Sequence, residues 1–169
     1  MLIVVQILSV IIGLYQAIGK SIKHIFTATF VFNAVCMLMY FLNQDTATAY
    51  GYILIVIRSF VYIYKDKLHK HWYLPFLFVA IHITVTLITM DKPSQLIPLC
   101  IVCGSCLYLW FSQTLQQLRI GNLIVNAAWG AYNIYTGLYI AVATRAISVI
   151  ANAAAYLKNS KHKTTQKEN

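Results

Sequence analysis

Acidic residues are nearly missing from this sequence: Asp45, Asp66, Asp91 and Glu168 are the only four in 169. No two of them share a segment where one could act as acid and the other as base. A Gly-rich phosphate loop, an H-E-x-x-H pair and a G-x-S-x-G elbow are also absent, so catalysis and an ATP-driven pump are not expected of this chain. Charged residues of both signs make up 10% of the chain, against roughly a quarter in a soluble domain. A water-facing surface cannot be built from so few. The four cysteines (Cys36, Cys100, Cys103, Cys106) give no disulfide framework. The C-x-x-C-x-x-C spacing of the last three spreads them around a helix, so no metal and no cofactor are expected.

What is plentiful is apolar: 60% of the residues, with twelve Tyr and eight Phe. A helical bilayer span takes about 20 such residues, which leaves room for roughly seven spans. Turn residues and charges place them at 2–18, 25–42, 47–64, 72–90, 95–115, 121–135 and 138–157. The cut between the last two rests on Thr136-Gly137, a helix-stop pair. Without it a single stretch of about 37 residues would cross once, far too long for a bilayer. The first block has no basic residue ahead of it and no small-x-small cleavage site, and it reads as a retained span.

The fold expected is therefore an all-α polytopic membrane protein. Basic residues fall on alternate connections: Lys20 and Lys23; Lys65, Lys67 and Lys70; Arg119; and the tail with Lys158, Lys161, Lys163 and Lys167. The opposite connections hold Lys92 alone. Cytoplasmic loops are the basic ones, which predicts an outer N-terminus, a cytoplasmic C-terminus and an odd number of spans. The segment 159–169 is polar and predicted to be disordered.

Sliding the chain on itself by 93 residues pairs Leu14-Tyr15 with Leu107-Tyr108, Asn33-Ala34 with Asn126-Ala127, Val56-Ile57 with Val149-Ile150, and Lys65 with Lys158. Seven identities weigh little in so biased a composition; the coincidence of spans, loops and basic boundaries weighs more. The reading is 3+1+3: a first triplet (1–67), a linker helix (68–93) and a second triplet (94–158), both in the same orientation. Duplicated folds of this kind commonly form transporters, with a solute site near the midplane.

That order resembles the SWEET sugar transporters, their PQ-loop relatives and the PnuC nicotinamide riboside transporters. The whole chain most resembles the YgjV-type family of bacterial inner-membrane proteins. In the SWEET group a Pro-Gln pair in the first helix of each repeat acts as a hinge. The corresponding residues here are Leu14-Tyr15-Gln16 and Leu107-Tyr108-Leu109, which makes Tyr15, Gln16 and Tyr108 the hinge candidates. Gly13 and Gly104 offer flexible points in place of the missing prolines. The group's cavity-lining Trp-x-x-Tyr is kept as Trp129–Tyr132 and replaced by Cys36–Met39 in the first half. Its cavity asparagine falls at Gly51 and Thr144. The resemblance implies a fold and a transport activity in the bacterial inner membrane; sugar specificity does not carry over.

Ionisable residues inside apolar spans are costly and point to function. Arg58 and Arg145 have no carboxylate in any span to pair with. Each either snorkels to its nearer interface, caps helix-end carbonyls, or lines a cavity for a solute that is anionic or rich in carbonyls. Asn33 and Asn126 occupy equivalent places, and an amide serves substrate hydroxyls or helix–helix bonding alike. Trp129 lies one turn beyond Asn126 on the same face. His82, in the linker helix, is expected to hydrogen-bond a neighbour. The cavity candidates are thus Arg145, Asn126, Trp129, Tyr132, Asn33, Arg58 and Thr144. The expected partners are the lipid bilayer and an unidentified small solute, not nucleic acid; a homo-oligomer is compatible with the sequence. The function expected is a facilitator or secondary carrier, and the alternative is a non-transporting membrane scaffold.

Overall fold

The computed structural model describes residues 2–42, 46–68, 70–90 and 92–165. They form eight α-helices and one 3-10 turn: α1 (Leu2–Ala17), α2 (Ile22–Leu42), α3 (Thr46–Ile63), the single-turn α4 (Lys65–Leu68), α5 (Leu74–Thr89), the 3-10 turn Pro93–Gln95, α6 (Leu96–Phe111), α7 (Leu115–Tyr135) and α8 (Tyr139–Thr165). No strand occurs among the described residues.

Local chemistry accounts for the breaks. Pro75 stands in the first turn of α5 and Pro93 opens the 3-10 turn, positions where a missing N–H costs nothing. The start of α7 is set by a capping box. The Thr114 hydroxyl accepts from Gln117 N, and the Gln117 side chain accepts from Thr114 N. Helix six was expected to begin only at Gly121, with Arg119 in the preceding connection. The capping box moves its start back to Leu115 and puts Arg119 inside the helix.

The Thr136-Gly137 stop holds. Gly137 has φ +74°, and its N–H bonds Ile134 O while Leu138 N bonds Asn133 O. This paired closure satisfies the last carbonyls of α7 and needs a residue free to adopt positive φ. Beyond Leu157, where disorder was expected, α8 continues to Thr165.

Helices separated by 93 residues correspond in their bounds. α2 and α7 are both 21 residues long and start at Ile22 and Leu115; α3 and α8 start at Thr46 and Tyr139. α2 packs on α1 and α3, α7 packs on α6 and α8, α1 also meets α8, and α5 bridges α3 and α6. At Gly13 the α1–α8 approach is close: a β-carbon there would stand 2.7 Å from Ser148 Oγ. Gly13 therefore serves contact, and α1 runs through it without a break.

The distribution of polarity is inverted relative to a soluble protein. Ile7, Leu8, Ile11, Ile57, Leu87, Ile88, Ile124 and Ile150 face outward, while Asn33, Arg58, His82, Arg119, Asn126, Asn133, Arg145 and Asn152 are buried. Such a surface is stable only against another apolar medium. Ile22–Leu42 and Pro93–Phe111 are long and apolar enough by themselves to cross a bilayer; Thr48–Ile63 and Leu74–Thr89 are shorter apolar helices.

Candidate functional site

The most polar part of the interior is centred on Arg145 in α8. Its Nη1 donates to Asn126 Oδ1 at 2.9 Å and its Nη2 to Tyr52 Oη at 2.9 Å. The guanidinium also lies over the rings of Phe32 (4.9 Å) and Trp129 (5.7 Å). Tyr52 stacks on Tyr40 at 5.0 Å, Trp129 meets Tyr132 edge-on at 5.9 Å, and Tyr40 Oη donates to Asn133 Oδ1 at 3.4 Å. The aromatic faces and two neutral acceptors replace the water a buried cation would lose, without a carboxylate.

Four of the expected cavity residues, Arg145, Asn126, Trp129 and Tyr132, therefore meet in one cluster. Thr144 joins them at a small pocket of about 10 Å³ shared with Cys36, Met39 and Arg145. That volume is at the threshold for one water.

Asn33 and Arg58 lie elsewhere. Asn33 Nδ2 donates to Ser59 Oγ at 2.9 Å, tying α2 to α3. Arg58 is buried and does not reach an interface. Its Nη1 donates to Val102 O (3.3 Å), Ser105 Oγ (2.8 Å) and Cys106 Sγ (3.0 Å) on α6. The three cysteines of the C-x-x-C-x-x-C run diverge, with Cys100 exposed and Cys106 buried against Arg58.

The hinge candidates do not contact Arg145, and Gln16 is buried while Tyr15 and Tyr108 are exposed. Tyr15 is exposed and packs on His24 at 4.5 Å. Gln16 Nε2 donates to Thr29 Oγ1 at 2.6 Å, and Tyr108 Oη donates to Gln117 O at 2.9 Å. These bonds join α1 to α2 and α6 to α7, and α1 and α6 pass through them unbroken.

A recess of about 60 Å³ lies between α3, α5, α6 and the Trp129 face of α7. By the same measure it has room for about four waters. Thr48, Thr89 and Gln95 are at one end, Gly51 and Tyr52 on one wall, and Ile55, His82 and Val102 deepest. From Gln95 to Val102 is seven residues, about 10 Å of helix. His82 is buried and its Nε2 has no hydrogen-bond partner.

At the opposite end of the molecule two cations tie helix ends together, beside a pocket of about 380 Å³ lined by Lys65, Trp72, Trp110 and Ser112. Arg119 Nη2 donates to Gly19 O at 3.1 Å and Nη1 to Ala155 O at 3.0 Å. Lys65 Nζ donates to Leu109 O at 3.2 Å and to Ser112 O. Gly19 and Ser112 are separated by 93 residues, so equivalent helix ends each receive a cation. Burial lowers the pKa of Lys65 from the ordinary 10.5, and the adjacent Asp66 opposes that shift.

Sequence reasoning missed Tyr52, Tyr40, Phe32 and the inward role of His82. A signal existed for two of them: Tyr52 plus 93 is Arg145, and Tyr40 plus 93 is Asn133.

Comparison with curated proteins found no match, and neither did comparison with solved structures. A family model described as a bacterial inner membrane protein matches residues 2–163. The outward apolar surface, the buried polar cluster and a match over nearly the full length agree: this chain belongs to the Imp-YgjV family of bacterial inner membrane proteins.

Proposed function

We propose that the chain is a seven-span carrier of small solutes, built from two parallel triplets, α1–α3 and α6–α8, joined by α5. One observation carries the reading: residues 93 apart touch each other in the buried centre, Tyr40 with Asn133 and Tyr52 with Arg145. Positions related by a two-fold axis meet their counterparts only on that axis. These contacts therefore support a pseudo-two-fold axis between the triplets, with Arg145 beside it. A midplane polar cluster at a repeat interface is where such carriers hold their solute. The 3+1+3 order is also that of the SWEET and PnuC transporters the sequence resembles.

The recess lies toward the Thr48–Gln95 end, while the Lys65 and Arg119 bonds tie the helices together at the other. With the basic connections on the cytoplasmic side, this is an outward-directed state. Rocking the triplets about Arg145 would break the Lys65 and Arg119 ties and open the cytoplasmic side.

The test is solute uptake by proteoliposomes, screened over small anions, nucleosides and sugars, with wild type against Arg145→Met. Uptake lost in a variant that still purifies as a folded species supports the reading, and unchanged uptake removes Arg145 from the path. A second reading, a membrane scaffold that moves nothing, is favoured by the tight packing around Arg145, where only about 10 Å³ is free. Uptake of no solute across the panel would leave the scaffold standing.

A further inference from the structure

The recess between α3, α5 and α6 holds features that neither the carrier reading nor the family match uses. His82 is among the best-buried residues of α5, lines the recess, and carries a ring nitrogen with no partner. An unpartnered buried nitrogen is costly, and in the Nε2–H tautomer a ligand that accepts a hydrogen bond from it would remove that cost. A neutral imidazole has one N–H to give.

The surroundings of that nitrogen are positive. Arg58 donates to Val102 O, and Val102 lines the recess. Arg145 donates to Tyr52 Oη, and Tyr52 also lines it. Two guanidinium groups thus stand one hydrogen bond behind the wall, and Arg58 lies within electrostatic reach of His82. None of the seven long helices contains an Asp or Glu, so no carboxylate of the protein compensates either charge within the spans. A cation is excluded from such a place and an anion is drawn to it.

Size and wall chemistry narrow the anion. Room for about four waters suits an acid of two to four carbons. Ile55, Val85, Leu99 and Trp129 supply apolar wall, and the threonines Thr48 and Thr89 lie toward the mouth. A bare halide would leave the apolar wall unused, and a sugar would find too few deep hydrogen-bonding groups to replace its water.

We propose that this recess binds a short organic monocarboxylate, with its carbon chain against Trp129 and Val85 and its carboxylate at His82. The inference deepens the carrier reading and rests on it for the ligand's onward route; the binding itself does not require transport.

Full-length protein in nanodiscs would be titrated with propionate, with propionamide as its uncharged counterpart of the same shape, and with chloride. Binding would be read by calorimetry and by tryptophan fluorescence, with Trp129→Phe identifying the reporter. Propionate should bind at least tenfold more tightly than propionamide, and chloride should compete weakly. His82→Gln, which keeps an N–H, should stay within about threefold of wild type, and His82→Phe should lose tenfold or more. Val85→Phe, which fills the recess without touching His82, should abolish binding; it also serves if His82→Phe does not fold.

Equal binding of propionate and propionamide, chloride as tight as propionate, or full binding in Val85→Phe would each overturn the proposal. Propionate binding with uptake of no solute across the panel would remove the carrier and keep the site. Uptake of another solute without propionate binding would do the reverse.

Discussion

Replacing Tyr52 by Phe deletes one oxygen beside the buried Arg145. The ring remains and keeps its stack on Tyr40 at 5.0 Å. What disappears is the acceptor 2.9 Å from Arg145 Nη2, leaving one buried charged N–H unanswered. A hydrogen bond to a charged group contributes about 1.5–3 kcal/mol in water-soluble proteins. Interhelical bonds measured in membranes average about 0.6 and reach about 1.7 kcal/mol. The charge pushes this case to the upper part of the membrane range, so a loss of about 1.5–2 kcal/mol is expected. At roughly 2–4 °C per kcal/mol for a chain of this size, Tm should fall by about 3–8 °C.

The assay is thermal unfolding in detergent of Tyr52→Phe, Arg145→Met and the double variant. Tyr50→Phe serves as a control, because Tyr50 is half exposed on the same helix and should change stability by less than about 0.5 kcal/mol. In the Arg145→Met background the Tyr52 hydroxyl no longer meets a cation, so the cycle should return a coupling of about 1.5 kcal/mol. A Tyr52→Phe loss of the same size in both backgrounds would refute the bond as the source of the effect.

Other outcomes follow from the packing and the charged ties. Gly13→Leu should cost about 1–3 kcal/mol or more, because its β-carbon already meets Ser148 Oγ at 2.7 Å. Gly104→Leu, where nothing lies within 4 Å, should be neutral or gain up to about 1 kcal/mol from helix propensity; paired thermal melts check both. Arg119→Met should free Gly19 O and Ala155 O, and faster hydrogen exchange is expected at the α1 end and late α8, with α5 unchanged. Lys65 has a lowered pKa in the fold, so between that value and the unfolded one the unfolded chain holds more protons and stability rises with pH. In the window just below pH 10.5, wild type should therefore gain stability relative to Lys65→Met, read as the difference between their Tm–pH slopes.

The sequence was informative where a single residue type has a single use. Gly137 ends a helix because its neighbour in the chain must turn, and Thr136-Gly137 announced that without any tertiary knowledge. Asn126 and Trp129 share a face by helical period alone, and both meet Arg145. The capping box at Thr114 and Gln117 is equally local, and it sets the start of α7 ahead of the charged Arg119. Other features depend on which helix turns toward which. His82 faces a recess only because α5 is wedged between α3 and α6, and no periodicity within α5 states that. Twelve tyrosines hide the two that matter until the 93-residue offset is applied to each. Arg58 could have bent toward water, and it found its acceptors on α6, far away in the chain.

The meeting of Tyr52 with Arg145 bears on ancestry. In a true homodimer of half-length chains, a residue on the symmetry axis confronts its own twin. Arginine there would face arginine, two like charges in a medium that screens neither. Tyrosine facing tyrosine is harmless, and the stacked Tyr40 and Tyr52 show how readily such rings accept one another. On the duplicated reading proposed above, once the two copies can diverge, one can become a cation while the other stays its acceptor. A central charge would then be something that duplication permitted and self-association forbade. A freed first half, residues 1–67, would meet its twin at Tyr52 with no arginine at that position.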